Sequence, residues 1–576
     1  LTLVFSLLLA ISLMAGSILE TYRTSVDAFF NTRSQLTVTE VDETGEAWSY
    51  VSKFKTAKEA FEGLKEFAIR ESQETVALLK NDGNALPLTK DAKITMLGVR
   101  SYAPVYGSSG GSITDGNATV QIFDCFTERG FQLNPSVQAA YAKYFADKTW
   151  TKPRFGGGII PEYAEITAYN DPSELTLDEL TALNADFRKD YAEYSDAAIV
   201  VVGRPGSEAG NGYYPGKDGL AEGVSTVTGN ILSLSDEEMA MINEAKANFD
   251  KVIVLVNATN PMEIANLKDD PDIDAIVWIG FPGAYGFYGV ADVLNGTVSP
   301  SAHLGDVMAK NSALAPAMAN YGNIPWTNAA DFAADANVNS YLIEAEGIYA
   351  GYRYYDKKNM DVLFPFGYGL SYTTFEYSNL TLDKSEMNDT DTLTVSVNVR
   401  NTGKVKGKEV VQLYVGMPES HTIRPVKELR GFEKIELEPG EEKTLTFTLA
   451  KRAFAYYRTD ISDWYVESGD YTIMAAKSSR DIACTATVNV TSTTQIKRVY
   501  TMNSTIEEIM ESPVGREILG KMMAQNPLAQ ADADDIGMGE AMARMMAEMP
   551  LRALLSFGGD SVPAGAGEML LKQLNA

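Results

Sequence analysis

A glycine-rich segment carries the strongest candidate for chemistry in this sequence. It reads GRPGSEAGNGYYPGKD from Gly203 to Asp218 and directly follows the apolar run AAIVVV. In open sheets of parallel strands, ligands bind beyond the carboxyl ends of the strands, which is where Arg204 and Glu208 fall. A carboxyl such as that of Glu208 can serve as a general acid when burial or nearby negative charge raises its pKa towards neutrality. On spacing alone, a solvated loop carboxylate is the simpler interpretation.

A second polar loop, YGSSGGS from Tyr106 to Ser112, also follows an apolar run. Its Ser108, Ser109 and Gly110 can offer hydroxyl and backbone N–H groups to a polar ligand, although the composition equally suits a plain flexible turn. If both loops leave the carboxyl edge of one sheet, they can converge on a single cleft. The Gly203–Asp218 segment lacks the G-x-x-x-x-G-K-[ST] spacing of a phosphate-binding loop and has Asp218 where the hydroxyl belongs.

A third candidate is the tripeptide Ser462-Asp463-Trp464, which places a carboxylate beside an aromatic ring. It lies among short runs of alternating apolar and polar residues and is followed by the turn Glu467-Ser468-Gly469. We therefore interpret it as a structural end of a strand rather than as a nucleophile.

The two glycine-rich loops require a sheet that positions them. Between Glu71 and Phe375, short β-branched runs alternate with helical stretches, and one helix begins with the capping residue Ser235. Near-continuous apolar runs are typical of parallel strands that helices cover on both faces. The sequence therefore predicts a layered α/β sandwich domain with a mainly parallel sheet over residues 71–375. The strand runs are KITMLGV (93–99), AAIVVVG (197–203), KVIVLVN (251–257) and AIVWIG (275–280).

The pattern changes after Phe375, where apolar residues recur at every second position between turn signals. Several short strands at this spacing predict an all-β sandwich of fibronectin type III character over residues 376–492. Residues 493–576 read as a methionine-rich helical tail, in which Met542, Met545, Met546 and Met549 share one helical face. We expect this face to pack on the body of the protein or on a second subunit; a methionine-lined ligand surface is the alternative.

Composition narrows the function classes. The 576 residues carry a formal net charge of −28, which argues against binding to nucleic acid. Two cysteines and two histidines exclude a disulfide framework, a cysteine-rich zinc site and most histidine-based metal centres. We expect no metal and no cofactor, so the chemistry must rely on carboxylates, hydroxyls, basic side chains and aromatic rings.

The residues from Leu1 to Leu19 form an uncharged apolar run long enough to cross a bilayer as a helix. We expect residues 1–21 to anchor the protein in the cell membrane, with a linker over 22–70 and the rest of the chain outside the cytoplasm. The alternative is a cleaved secretory signal, because Ala15, Gly16 and Ser17 are small enough for a signal peptidase. The protein would then be secreted.

Several longer stretches together resemble glycoside hydrolase family 3, the β-glucosidase family. ESQETVALLKNDGNALPL (71–88) resembles the entry to the second domain of the family, and ADVLNGTVSPSAHLGD (291–306) resembles a later passage of that domain. EGIYAGYRYYDKKNMDVLFPFGYGLSYTTFEYSNL (346–380) is similar to its signature ending. RPVKELRGFEKIELEPGEEKTLTFTL (424–449) resembles the fibronectin type III-like domain that comes next.

The resemblance implies a retaining β-glycosidase site shared between two domains. In the family, a (β/α)₈ barrel supplies an Asp nucleophile and the α/β domain supplies an acid/base Glu from a loop similar to G-R-x-S-G-E-G-x-D. Glu208 matches that Glu, whereas Ser207 and Ala209 replace the flanking glycines and Asn211 the later acid. The resemblance further implies that carbohydrate, namely β-glucosides or short oligosaccharides, is the ligand, with Arg204, Ser108, Ser109 and Gly110 at the sugar site.

The expected barrel has no place in the sequence. It needs on the order of 250 residues, whereas about 50 separate the apolar run from Glu71 and about 85 come after the β-sandwich. Membrane-anchored relatives that carry the α/β domain ahead of the barrel resemble this chain in TVTEVDETGEAW (37–48). Either a separate barrel-domain protein completes the site, or the chain is a non-catalytic carbohydrate-binding or surface interaction protein.

Overall fold

The computed structural model describes most of the chain from residue 53 onwards, and the predicted anchor lies outside the described residues apart from Ser12. Two compact units divide the chain, Leu1–Phe67 and Ala68–Ala576. Across the described ranges, no helix combines the length and the apolar character needed to cross a membrane. The described residues are 12, 53–107, 119–146, 151–153, 159–164, 174–204, 232–317, 324–325, 328, 331, 340–341, 343–494, 496, 499–524, 539–557 and 565–575.

The first sheet domain alternates short strands with helices over the part of the chain that is described. The strands are β1 (Ala77–Asn81), β2 (Lys93–Leu97), β3 (Gln132–Leu133), β4 (Thr151–Pro153), β5 (Ile159–Ala164), β6 (Ala197–Arg204), β7 (Val252–Ala258), β8 (Ala275–Trp278), β9 (Ile324–Pro325) and β10 (Ser340–Tyr341). The helices are α1 (Ala57–Thr75), α2 (Ile122–Glu128), α3 (Pro135–Ala146), α4 (Leu177–Leu183), α5 (Asp236–Asn248), α6 (Ala265–Lys268), α7 (Gly286–Leu294) and α8 (Tyr352–Lys357).

Six of these strands form one sheet in the order β1-β8-β7-β6-β2-β3. All neighbouring pairs are parallel except β1 with β8, so the prediction of a mainly parallel sheet is confirmed. The four predicted apolar runs correspond to β2, β6, β7 and β8. Strands β4 with β5 and β9 with β10 form two separate antiparallel pairs.

Both faces of this sheet are buried, which explains why its strands are almost uninterruptedly apolar. Along β6, Val200 and Val202 belong to one hydrophobic cluster, whereas Ile199 and Val201 belong to the cluster on the opposite face. Each fully buried side chain of this size contributes about 1.5–3 kcal/mol through the hydrophobic effect. Strand β6 is therefore a central strand, covered on both faces in a three-layer α/β/α arrangement.

The second sheet domain is a β-sandwich, as the period-two pattern predicted. Its strands are β11 (Phe375–Leu382), β12 (Glu386–Asn388), β13 (Leu393–Asn401), β14 (Gly407–Gly416), β15 (Glu428–Leu437), β16 (Glu442–Leu449), β17 (Tyr456–Arg458), β18 (Asp463–Tyr465), β19 (Gly469–Ala476) and β20 (Ile482–Thr491). Its two sheets have the orders β11-β13-β16 and β12-β20-β19-β14-β15, and β17 and β18 form a hairpin. Along β13, buried residues alternate with more exposed ones, and Val395, Val397 and Val399 face a core shared with the other sheet.

The α/β domain and the β-sandwich are packed against each other. One small apolar cluster takes Tyr352 and Tyr355 from helix α8 and Tyr414 from strand β14. Asp356 on the same helix accepts hydrogen bonds from Lys427 (2.8 Å) and Arg480 (3.0 Å), which flank sandwich strands. The two domains therefore share an interface with apolar and ionic contacts.

The helical C-terminal region was also predicted. It contains α9 (Ile506–Met510), α10 (Pro513–Ala524), α11 (Gly539–Glu548), α12 (Leu551–Phe557) and α13 (Ala566–Leu574). Its helices share a core of their own around Ile509, Leu519 and Leu551. Of the predicted methionine stripe, Met549 packs against this core, whereas Met545 is 55% exposed.

Candidate active-site edge of the parallel sheet

The carboxyl ends of β2, β6, β7 and β8 lie at one edge of the parallel sheet, and in the sequence the two glycine-rich segments follow β2 and β6. Strand β2 ends at Leu97 and is followed by Gly98, whose φ is +91°. A Cβ atom at this position would lie 2.7 Å from the carbonyl oxygen of Val201 on β6. Glycine is therefore required where the backbone turns away from β2.

Arg204, the last residue of β6, is the predicted site residue that the structure describes. Its side chain is only 2% exposed and forms a bidentate ion pair with Glu238, with N–O distances of 2.5 and 2.7 Å. The guanidinium group also donates to the carbonyl oxygens of Gly203 (2.8 Å) and Ser233 (2.7 Å). Since residues 205–231 lie between those two carbonyls, Arg204 joins the two ends of the segment that contains Glu208.

Glu238 performs two local tasks at the beginning of helix α5. The Ser235 hydroxyl accepts from the Glu238 N–H (3.1 Å), while the Glu238 carboxylate accepts from the Ser235 N–H (2.9 Å). This is a capping box, which satisfies two of the unpaired donors at the start of a helix. The same carboxylate pairs with Arg204, so the helix cap and the end of β6 form one hydrogen-bonded unit.

Glu263 holds the chain immediately after the undescribed segment 205–231. Its backbone N–H donates to the Leu232 carbonyl (2.8 Å), and its carboxylate accepts from the Ser233 hydroxyl (3.0 Å). The other carboxylate oxygen accepts from the N–H (2.6 Å) and hydroxyl (2.7 Å) of Ser312. The chain at Leu232 and Ser233 is thereby bonded to Glu263, which also binds Ser312.

Asn257, near the end of β7, holds the backbone just before the second glycine-rich segment. Its amide oxygen accepts from the Val105 N–H (2.6 Å), and its amide nitrogen donates to the carbonyls of Val105 (3.0 Å) and Gly280 (2.7 Å). The side chain is completely buried. Asn257 therefore ties the chain after β2 to the chain after β8, just before the segment with Ser108, Ser109 and Gly110.

Glu174 adds a titratable group at this edge. Its two carboxylate oxygens accept from the backbone N–H groups of Val99 (2.7 Å) and Leu175 (2.8 Å). Desolvation raises its pKa to about 8, an effect that the negative charge of Glu238 increases and the two backbone donors and the positive charge of Arg100 reduce. Glu174 is thus a carboxyl that can hold a proton near neutral pH at Val99, just after β2.

The other predicted site residues, Glu208, Ser108, Ser109 and Gly110, lie outside the described residues. The third candidate motif is described: Asp463 is exposed on β18, which pairs with β17 in the sandwich hairpin. The Arg452 guanidinium lies 3.1 Å from the centre of the Trp464 ring, and the Asp463 carboxylate accepts the N–H of Trp464 (2.7 Å). This strand position is the structural role that the sequence predicted.

Sequence reasoning did not identify Glu174, Glu238, Glu263 or Asn257. For Glu238 the signal was present, because the Ser-x-x-Glu spacing before an apolar run predicts a capping box. For Asn257 the signal was its place as the last residue of the apolar run KVIVLVN, at the predicted end of a strand. Nothing in the local sequence distinguishes Glu174 or Glu263 from solvated carboxylates.

The sequence profiles of two known domain families match this chain. The sequence profile for the glycosyl hydrolase family 3 C-terminal domain matches residues 76–372, and a fibronectin type III-like profile matches residues 409–479. The first match alone covers more than half of the 576 residues. The chain belongs to glycosyl hydrolase family 3.

Several members of family 3 are similar to this chain over most of its length. Thermostable β-glucosidase B of Acetivibrio thermocellus is 33% identical over 506 residues, which are 87% of this chain and 58% of that protein. A family 3 β-glucosidase of Bifidobacterium adolescentis has a similar structure, with a TM-score of 0.58, 26% identity and coverage of 81% of this chain and 59% of its own.

β-Glucosidase 3B of Thermotoga neapolitana, solved in complex with α-D-glucose, has a TM-score of 0.59 and 28% identity. The similarity covers 76% of this chain and 55% of that enzyme. The chain therefore spans about three-fifths or less of the length of each of these family 3 relatives.

Proposed function

We propose that this chain takes part in the hydrolysis of β-glycosides, with Glu208 as the general acid and base. The observation that carries the proposal is that β6 ends at Arg204, at the carboxyl edge of the parallel sheet and four residues before Glu208 in the sequence. In sheets of this kind that edge is where ligands bind. Family membership and the β-glucosidase names of the relatives support the same reaction class.

The reaction has two steps in retaining glycosidases. The acid protonates the glycosidic oxygen while a second carboxylate attacks the anomeric carbon, which forms a glycosyl-enzyme and releases the alcohol. The same residue, now ionised, then removes a proton from the water that hydrolyses this intermediate. We assign the first role and its reversal to Glu208 and the nucleophilic role to an Asp on a barrel domain outside these 576 residues.

Carbohydrate binding follows from the same assignment. We propose that β-glucosides or short oligosaccharides lie at the sheet edge, with Ser108, Ser109 and Gly110 offering hydrogen bonds from the loop that Asn257 anchors. The solved relative in complex with α-D-glucose supports a sugar ligand in this family. Arg204 belongs to the same site through its contacts at the base of the Glu208 segment.

A second candidate function is carbohydrate binding without catalysis. The replacement of the loop glycines by Ser207 and Ala209 favours it, because each added Cβ restricts the backbone conformations open to the segment around Glu208. The two functions differ in whether Glu208 is needed for turnover.

Activity measurements with aryl β-glucosides separate these functions. The residues after the apolar run should be assayed alone and together with a family 3 barrel, in the native protein and in Glu208→Ala. We expect turnover only with the barrel, and a loss of about 10²–10⁴-fold in Glu208→Ala, the usual contribution of a general acid or base. Glu222→Ala, which removes another carboxylate from the same segment, is the matched control. Sugar binding without turnover in the presence of the barrel would favour the second function.

We further propose that residues 1–21 hold the protein at the outer side of the cell membrane. The proposal rests on the uncharged run Leu1–Leu19. Membrane fractionation followed by carbonate extraction should leave the full chain in the pellet. Release of a shortened chain into the medium would instead show a cleaved signal and a secreted protein.

A further inference from the structure

Arg204 and Arg424 are both almost fully buried, but they differ in their partners. Arg204 has the bidentate carboxylate partner described above, whereas over the described residues no carboxylate pairs with Arg424, which lies just before strand β15. The Arg424 guanidinium lies 5.5 and 5.8 Å from the ring centres of Tyr456 and Tyr471. Its Nη2 donates one long hydrogen bond of 3.4 Å to the carbonyl oxygen of Phe454. A buried charge without a counter-charge is costly for a fold and therefore calls for a physical reason.

Two further arginines belong to the same cluster. Arg353 on helix α8 and Arg430 on strand β15 share the carboxylate of Glu428, with N–O distances of 3.3 and 2.6 Å. Burial lowers the pKa of Arg430, and the negative charge of Glu428 opposes this shift. The positive charges of Arg353 and Arg424 lower the same pKa further. The three arginines thus lie near one another where the α/β domain meets the sandwich.

Each of these arginines buries one nitrogen atom that has no hydrogen-bond partner. The atoms are Nε of Arg353, Nη1 of Arg424 and Nε of Arg430. In folded proteins the large majority of buried polar side-chain atoms have a partner, which is often water or an ion where the protein supplies none. The exposed fraction of the side chain rises from 6% for Arg424 through 17% for Arg430 to 35% for Arg353. The cluster therefore extends from the protein interior to its surface.

The charges of the cluster do not cancel. Three guanidinium groups, which stay protonated in proteins, face the single carboxylate of Glu428 and leave an excess of two positive charges. Asp356 on α8 is already shared by Lys427 and Arg480. Within the described chain, Glu346 in the turn before α8 pairs with none of the three arginines.

Water can satisfy the three nitrogen atoms but cannot balance this charge. An oxyanion with two negative charges does both, because guanidinium groups form strong, directional hydrogen bonds to phosphate and carboxylate oxygens. A small ion suits the place better than a large ligand, since two of the three arginines are mostly buried.

We propose that Arg353, Arg424 and Arg430 form a binding site for a free tetrahedral dianion, inorganic phosphate or sulfate. The bound ion joins helix α8 of the α/β domain to the start of strand β15 in the sandwich. Because the three arginines meet only in the folded protein, the ion stabilises the contact between the two domains by mass action. The site is independent of the proposed hydrolysis of β-glycosides.

Isothermal titration calorimetry of the full chain at pH 8, with inorganic phosphate as the probe, tests the site. The native protein should bind one phosphate saturably, and sulfate but not chloride should compete. Arg424→Met and Arg353→Met should each weaken the affinity by at least about tenfold, because each removes a charge-assisted hydrogen bond. Arg353→Met changes the most exposed member, so it should fold even if the buried Arg424→Met does not. Arg458→Met, which breaks the exposed pair with Asp460 in the same sandwich, is the matched control and should leave the affinity unchanged.

Several results would overturn the proposal. They are the absence of saturable phosphate binding to the native chain, and a loss of affinity in Arg458→Met equal to that in Arg353→Met. Glucose 6-phosphate that binds as tightly as inorganic phosphate would overturn the assignment to a free ion. Glucuronate that binds as tightly would overturn the assignment to a dianion.

Thermal unfolding at fixed ionic strength separates the site from the general effect of salt. Phosphate and sulfate stabilise folded proteins by exclusion from their surface, which acts on every variant alike. Phosphate at about ten times its Kd should raise the Tm of the native chain more than that of Arg353→Met. An equal increase in both proteins would show the general salt effect alone and would also overturn the proposal.

Discussion

In the α/β domain and in the β-sandwich, a fully buried asparagine holds separate parts of the backbone together. Asn257 joins Val105 to Gly280 at the carboxyl edge of the parallel sheet. Asn401 at the end of β13 donates to the carbonyls of Val405 (2.8 Å) and Leu437 (3.0 Å). Both side chains are completely inaccessible to solvent.

The two asparagines differ in the segments that lie next to the backbone they hold. The chain beyond Val105 contains the predicted sugar-binding residues, whereas the chain around Asn401 turns back directly into the next sandwich strand, β14. The same chemistry thus supports a candidate site in one domain and only the fold in the other. Buried hydrogen bonds become functional through the segments that they position.

Replacing each asparagine by alanine gives the largest expected effect and tests this contrast directly. Asn257→Ala and Asn401→Ala should each lower the free energy of unfolding by about 3 kcal/mol, because each leaves several buried backbone groups without a partner. Urea unfolding, followed domain by domain, measures this loss. Only Asn257→Ala should also reduce turnover or sugar binding at a temperature where both variants are folded. A loss of activity in Asn401→Ala of similar size would remove the distinction between the domains.

The second prediction concerns a buried carboxyl in the sandwich, whose replacement should raise the free energy of unfolding rather than lower it. Glu409 accepts a hydrogen bond from the Tyr377 hydroxyl (2.8 Å), and burial raises its pKa to about 7, with Asp481 adding to the shift and Lys477 opposing it. Protonated Glu409 therefore favours folding at low pH, and this contribution is lost as the pH rises through 7. Glu409→Gln keeps an acceptor for Tyr377 and should be more stable than the native protein by about 3 kcal/mol at pH 8, with little difference at pH 4.

Urea unfolding between pH 4 and pH 8.5 checks this dependence, with Glu376→Gln on the exposed face of β11 as the control. Turnover and sugar binding should not change in Glu409→Gln, because its contacts lie within the sandwich. A pH dependence of stability identical to that of the native protein would show that Glu409 ionises normally.

The contacts between the two domains give a third, smaller effect. Asp356→Asn removes the charge that Lys427 and Arg480 share, and we expect a loss of about 2 kcal/mol, the usual value for buried charge-assisted hydrogen bonds. Calorimetry should show the unfolding transitions of the α/β domain and the sandwich moving apart. Asp361→Asn, which breaks the exposed pair with Lys310, is the control and should leave both transitions in place.

The helix cap beside the Arg204 pair gives the smallest effect. Ser235→Ala removes the hydroxyl that accepts the Glu238 N–H and should cost about 1 kcal/mol of stability. The Glu238 carboxylate keeps its bonds to Arg204, so the loss should be that of an ordinary helix cap. Urea unfolding measures it, and a loss of more than about 2 kcal/mol would show that the cap also supports the Arg204–Glu238 pair.

The sequence was informative wherever local patterns decide structure. The apolar runs predicted β2, β6, β7 and β8, because strands buried on both faces tolerate few polar residues. Alternation predicted the sandwich strands, since one face of each strand lies on the core. The capping residue Ser235 marked the start of α5 at the correct position.

The partners of the candidate site residues could not be predicted in this way. Glu238 lies 34 residues beyond Arg204, and Glu174 lies 75 residues beyond Val99. Such pairs depend on which strands become neighbours, and no local pattern records this. The roles of Glu208, Ser108, Ser109 and Gly110 stay predictions that rest on the resemblance and on the place of their segments in the chain.

The antiparallel edge strand β1 has a consequence for the synthesis of the protein. Ala77 of β1 pairs with Trp278 of β8, and Leu78 also forms a bridge with Leu370. A ribosome that adds about 5–20 residues per second needs roughly 10–40 s to proceed from β1 to β8. During that time the apolar residues of β1 lack the strand with which they pair in the folded protein. The nascent chain must therefore keep β1 from aggregating until the residues of β8 have been translated.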